Sequence, residues 1–444
     1  MQISNTQLAA FSAPAATLAA LGLPIVIFLP PLYAELGLSL TTVGTVFMLT
    51  RLFDVASDPI FGVLGDRLNT RWGRRRPALL IAVPILMYGV YRVFFPPDSP
   101  DSASLLISML ILYVGWTLYT LAHTAWASEL STDYDARSRI MSSIHFVSLV
   151  GLIAVMLLPV VLDQISVDVG MRDRTALMGW FVLLTLPVFT LIAVLSTREL
   201  DREPQSPIEW REAVSAMVGN RPLRRLLAAD LLLGIQAGIN SAVHFFFIIQ
   251  VLKLPASASL YLLVIFGSGL LCVPLFLRLS YRLNKHRALA IATLVTSVGT
   301  MAFFVLPAQS FWLTFVVYLF VGVSTGAKDF LMRSIMADVI DQDRVTTGRD
   351  RSALYYSMLT LTAKVGLAVS VGLIYPLLDW VGFDPSGFND ESTLSGVRVL
   401  VATSPTLLLF LVFAIMWRFP LDRSTQADLR DQIESGRTSN LPNR

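Results

Sequence analysis

The sequence predicts an all-α polytopic membrane protein with twelve transmembrane helices in two six-helix bundles. Three observations predict it. Of 444 residues, 55% are apolar and only 15% are charged, with a mean hydropathy of +0.65, whereas a soluble domain carries roughly 25% charged residues. The apolar residues come in blocks long enough to cross a bilayer, which takes roughly 20 residues per helix. The blocks fall six and six about a polar segment at 197–222. Strands are excluded because open sheet edges go unsatisfied in hydrocarbon and barrel strands alternate instead of running apolar.

The first half holds charge-poor windows near 10–34, 40–65, 78–96, 105–129, 140–162 and 176–196. The first charged side chain is Glu35, so the opening block lacks the basic flank of a cleavable signal and reads as a retained helix. The polar segment 197–222 holds Pro204 and Pro207 and reads as a cytoplasmic linker with a short interfacial helix near Trp210. Windows resume near 223–251, 258–281, 287–306, 311–338, 352–378 and 397–418. The expected organisation is a bundle at 1–196, a linker at 197–222, a bundle at 223–420 and a cytoplasmic tail at 421–444. Arg67-Leu68-Asn69 closes span two and Arg282-Leu283-Asn284 closes span eight, 282 − 67 = 215 residues later, a faint echo of an internal repeat.

Lys and Arg collect in the loops after span two (Arg67, Arg71, Arg74, Arg75, Arg76), span eight (Arg282, Lys285, Arg287) and span ten (Arg344, Arg349, Arg351). The positive-inside rule makes those loops and both termini cytoplasmic in a cell (inner) membrane, with Arg172 and Arg174 as exceptions on the far side. The single cysteine, Cys272, excludes an intrachain disulfide framework, and no residue spacing implies a metal or cofactor. The net charge of +3 is small and confined to loops, which gives no support to nucleic-acid binding. The expected partners are the lipid bilayer and a small-molecule solute, with the chain acting as a monomer. No nucleophile is set beside a base, so an enzyme is the least supported class.

Span two carries Arg51, Asp54 and Asp58 in an otherwise apolar helix. Each ionisable group at such depth costs at least about 2.5 kcal/mol, so intramembrane acids default to function. Asp54 and Asp58 lie four residues apart and share a helix face, and two close carboxylates hold a proton or small cation between them. The plainer reading is a static network with Arg51 and a distant lysine. Lys364 stands alone among apolar neighbours in span eleven and needs a partner from another helix. If that partner is Asp54 or Asp58, Lys364 and Arg51 become coupling residues. Tyr119, Thr120, His123, Thr124 and Trp126 give span four a polar and aromatic cluster suited to hydroxylated solutes, although interfacial placement explains aromatics equally well. Asp66, Arg67, Arg137, Asp338 and Asp341 sit at cytoplasmic helix ends, where opposite charges can close a gate.

These segments together resemble a known family. Arg51-Leu52-Phe53-Asp54 with Asp58-Pro59, Gly65-Asp66-Arg67 running to Gly73-Arg74-Arg75-Arg76-Pro77, Asp133-Tyr134-Asp135-Ala136-Arg137, Ala337-Asp338-Val339-Ile340-Asp341 with Thr347-Gly348-Arg349, and Lys364-Val365-Gly366-Leu367-Ala368 are similar to the glycoside-pentoside-hexuronide:cation symporters. That group includes melibiose permease and belongs to the major facilitator superfamily. The resemblance implies a major facilitator fold with a central cavity and symport driven by sodium or protons. It further implies that Asp54 and Asp58 bind the cation, Lys364 couples it, and Trp126 lies beside the sugar. Span one here has no charge, Ala122 stands where sugar-transporting members place a second acid, and Ala136 stands where a glutamate often precedes the arginine. With that oxygen ligand missing, a proton is favoured over sodium. The resemblance thus points to symport of a sugar or glycoside, with a lysolipid carrier or a non-transporting membrane sensor as alternatives.

Overall fold

The computed structural model describes residues 4–67, 73, 75–130, 134–165, 169–197, 199, 218–348, 351–385, 387–422 and 425–426; the side chains at 59, 62–67, 128, 134–138, 329 and 353 fall outside the description. The linker helix expected near Trp210 and most of the tail fall outside it too. The described chain is helical: α1 Asn5–Ile27, α2 Leu29–Glu35, α3 Leu40–Arg67, α4 Arg75–Phe94, α5 Ser102–Glu129, α6 Tyr134–Ile165, α7 Met171–Ser196, α8 Arg221–Phe246, α9 Ala258–Leu283, α10 Lys285–Met301, α11 Phe311–Thr347, α12 Ser352–Trp380 and α13 Glu391–Trp417. Eleven of these are apolar and long enough to cross a membrane. The twelfth span is α3, 28 residues long, which carries Arg51, Asp54 and Asp58 within its length.

Local chemistry sets the helix ends. Ser4 caps α1 by accepting from the Gln7 amide, while the Gln7 side chain accepts from the Ser4 amide. The first span breaks at Phe28, and α2 restarts with Pro30 and Pro31 in its first turn, where a missing N–H costs least. Asp101, Asn220 and Asp390 cap α5, α8 and α13 through their side-chain oxygens.

The two halves repeat one packing scheme. In the first, α1 packs on α6 and α7, α4 on α5 and α7, and α3 on α5. In the second, α8 packs on α12 and α13, α10 on α11 and α13, and α9 on α11. Span for span, each contact in one half has its counterpart in the other. An ion pair repeats as well. Arg75 at the start of span three meets Glu129 at the end of span four, at 2.8 Å, and Lys285 at the start of span nine meets Asp338 near the end of span ten, at 2.7 Å. The partners are 54 residues apart in the first half and 53 in the second.

Between the halves α3 runs along α12. Thr41 Oγ1 donates to Asp379 Oδ2 at 2.6 Å, Phe28 meets Phe245 at 4.7 Å between ring centroids, and Arg174 lies 6.0 Å from the Phe245 ring. These contacts lie at the end of the bundle away from the two chain termini. Next along α3 come Gly44 against α12 and Met48 against Gly372, and then the Asp54, Asp58 and Lys364 cluster. Among the described residues, no hydrogen bond, ion pair or ring contact joins the halves closer to the termini than Lys364. Among the described residues, the bonds and ring contacts between the halves thus run from the far end to the Asp54, Asp58 and Lys364 cluster.

Candidate functional site

The site begins on α3. One helical face presents Arg51, Asp54 and Asp58, and Lys364 from α12 reaches across to the two acids. Its Nζ donates to Asp58 Oδ2 at 2.6 Å and stands 3.0 Å from Asp54 Oδ2. The Asp54 side chain is 1% exposed, whereas those of Asp58 and Lys364 are 30% and 25% exposed. Asp54 Oδ2, though close to the ammonium, has no partner at hydrogen-bond geometry. Thr117 of α5 donates to Asp54 Oδ1 at 2.9 Å. The contact cluster of two carboxylates and one ammonium carries a formal charge of −1 with the acids ionised. Arg51 is not part of it: its guanidinium lies over Tyr113 of α5, 5.2 Å from the ring centroid, and makes no ion pair among the described residues. This corrects the expectation that Arg51 neutralises the acids.

Beside the cluster lies a cavity of about 310 Å³ between α1, α5 and α6. Trp116, Thr120, His123 and Thr124 line it from α5, spaced i, i+4, i+7 and i+8 along one face. Ile144 and Ser148 of α6 and Ala15, Leu18, Ala19 and Gly22 of α1 complete the wall, and no charged side chain lines it. His123 Nε2 is 3.0 Å from the Phe11 carbonyl, which fixes the ring against α1. The polar and aromatic cluster of span four is thus split between two faces. His123 and Thr124 line the cavity. Tyr119 and Trp126 do not. The Tyr119 hydroxyl bonds Thr190 Oγ1 at 2.6 Å inside the first bundle. Trp126 is fully buried edge-on to Phe11, with the Arg76 guanidinium 5.8 Å from its ring. Trp116 and Thr117 went unselected because an aromatic and a threonine in an apolar span are common; only their register relative to Thr120 and Asp54 marks them.

The proposed gate residues are only partly visible. The side chains of Asp66, Arg67 and Arg137 fall outside the described residues. Asp338 pairs with Lys285 inside the second half and also accepts from Gln426. Asp341 makes no ion pair among the described residues, and its neighbour Asp343 meets Arg351 at 2.5 Å within the same half.

A family model described as MFS/sugar transport protein matches residues 10–423. The chain belongs to this family. The transporter is 25% identical over 419 residues to a putative glycoside/cation symporter, YagG, of Escherichia coli, with 90% of this chain and 88% of the relative covered. It is 24% identical to a glucuronide carrier protein homolog of the same organism, covering 89% and 88%. It is 21% identical to the sodium-dependent lysophosphatidylcholine symporter 1-B of Danio rerio, covering 94% and 85%. Among solved structures, the fold matches a mutant of the nucleoside transporter NupG at TM-score 0.70 and 12% identity, with 93% of this chain and 100% of that chain covered. It also matches a bacterial homolog of the lysosomal transporter Spinster, inward-facing and occupied, at TM-score 0.69 and 12% identity, covering 95% and 97%. Twelve spans in a major facilitator fold and membership of a sugar-transport family are therefore both borne out.

Proposed function

We propose that the transporter couples the movement of a small hydroxylated solute, a sugar or glycoside, to a cation bound at Asp54 and Asp58. The observation that carries this reading is the Lys364 ammonium lying between two acids of the opposite half. An ion that binds the carboxylates competes with Lys364 for the same oxygens. Ion binding therefore loosens a bond between the halves, and ion release restores it. Such exchange ties ion occupancy to the motion that alternating access requires. A permanently static bridge would need no access to water, yet Asp58 and Lys364 are both partly exposed.

The coupling ion in this reading is a proton. Two carboxylates and the Thr117 hydroxyl provide few oxygens for sodium, whereas a proton needs one carboxylate. The positive-inside bias makes the end carrying the termini cytoplasmic in a cell membrane. The solute occupies the cavity between α1, α5 and α6, where His123 and Thr124 face it. Trp126 and Tyr119 support that wall from behind. Asp66, Arg67 and Arg137, which the sequence puts at cytoplasmic helix ends, would gate the cavity on that side.

The experiment is ion and solute uptake into proteoliposomes, using a panel of glycosides with lysophosphatidylcholine as a separate arm, for the native chain and Asp58→Asn. The expected result is acidification that appears only with a glycoside and vanishes in Asp58→Asn. Glycoside uptake unchanged by the substitution would overturn the cation site. Ion movement driven by lysophosphatidylcholine alone would overturn the choice of solute.

A further inference from the structure

We infer that Trp116, not Trp126, is the aromatic platform on which the solute ring stacks, and that the peptide joining Trp116 to Thr117 links solute to cation site. The inference rests on the symport reading above and deepens it by assigning the solute's contact. Three observations carry it. Trp126 is fully buried, closed in by Phe11 and Arg76, and no part of the cavity wall is formed by it. Trp116 is half-buried and lines the cavity, with Thr120, His123, Thr124 and Ser148 around the same space. Finally, Gly22 leaves room for that ring. A Cβ added at Gly22 would stand 3.3 Å from the Trp116 ring, so any larger residue there pushes the indole toward the cavity.

The chemistry of the wall defines what it takes. One indole face, three hydroxyls and an imidazole suit a hydroxylated ring, whose C–H face stacks on the indole while its hydroxyls exchange hydrogen bonds. A volume of about 310 Å³ lies at the low end for ligand sites, which fits a single ring with a small substituent. With no charged side chain in the wall, the part of the solute held there is uncharged.

The link to the ion is one residue away. Thr117 follows Trp116 on α5 and donates to Asp54 at 2.9 Å. A solute that settles on Trp116 therefore seats itself against the same helical turn that orients Asp54. Removing the indole should weaken solute binding and leave the ion site intact.

The test uses the full-length chain and a panel of p-nitrophenyl glucoside, galactoside and glucuronide, with equilibrium binding and quenching of tryptophan fluorescence as readouts. Proton uptake on acidification of the detergent-solubilised protein reports the acids separately. Trp116→Ala is expected to weaken binding of the glycoside that the native chain takes by about tenfold, a typical aromatic contribution. Trp116→Tyr should keep most of the affinity, and Trp126→Phe should bind as the native chain does. Gly22→Val should lose binding while still taking up protons, which separates a blocked cavity from a misfolded chain. Loss of binding in Trp126→Phe with native binding in Trp116→Ala would overturn the assignment. If Trp116 behaves as expected while Asp58→Asn still transports normally, the symport reading fails and the platform stands.

Discussion

Lys364 is the residue on which the cross-half contact depends, and its loss should be felt first as stability. Lys364→Ala leaves Asp54, 1% exposed, with no counter-ion within reach. Breaking a buried pair by removing one partner costs about 3–5 kcal/mol; partial exposure of Asp58 puts this site at the lower end of that range. Thermal unfolding in detergent should show a clear drop for Lys364→Ala, and Lys364→Ala with Asp54→Asn should recover most of it, because the orphaned charge is gone. A double variant no more stable than the single one would mean that Asp54 carries no charge in the folded chain. These charged residues were legible in the sequence because ionisable groups in an apolar span are rare and costly. Their partners were not. Nothing in the local sequence distinguishes Thr117 from Thr120, yet one bonds Asp54 and the other lines the cavity. Arg51 shows the reverse failure, since proximity along α3 suggested a pairing that the direction of its side chain toward Tyr113 does not make.

At the scale of elements, the contact between α3 and α12 decides which end of the molecule is sealed. Gly44 lets the two helices approach closely. A Cβ at that position would stand 3.0 Å from the Val371 carbonyl and 3.0 Å from the Tyr375 Cβ, and a backbone carbonyl cannot swing aside. Gly372 plays the matching part from α12, lying against the Met48 side chain, which is flexible and can yield. Gly44→Leu should therefore wedge the far end apart and favour the alternative, outward-open arrangement, while Gly372→Ala should do so weakly. In a Cys272→Ser background, a cysteine placed at Met48 reports this: its labelling by a membrane-impermeant thiol reagent from outside should speed up several-fold with Gly44→Leu. Equal labelling rates would mean that the glycine contact does not hold the seal. The helices themselves were readable from composition, because hydrocarbon leaves helices as nearly the only option. The break between α1 and α2 shows what apolar counting misses, for a window scan joins both into one span while Pro30 and Pro31 end the hydrogen-bond ladder.

Across the whole molecule, two bundles of equivalent packing are joined at the far end and at the central cluster, and each carries an ion pair of its own between its third-span and fourth-span helices. The Arg75–Glu129 and Lys285–Asp338 pairs each join two helices of the same half, at the end that carries the termini. The sequence suggested the repeat through a three-residue echo, but the stronger sign, the same ion pair at 54 and 53 residues, needed the helix packing to be recognised. Charges at helix ends announce their location and leave open whether they brace one half or clasp two. If the halves rock as rigid bodies, the bonds that must break are those at the far end, where Thr41 of the first half donates to Asp379 of the second at 2.6 Å. Thr41→Cys with Asp379→Cys, in a Cys272→Ser background, bridged by a short reducible bifunctional thiol reagent, should hold that end shut. Uptake into proteoliposomes should then stop and return on reduction, with each single cysteine unaffected by the reagent. Full-rate uptake by the bridged chain would mean that the solute crosses without parting α3 from α12, and that the two bundles do not alternate about the central cluster.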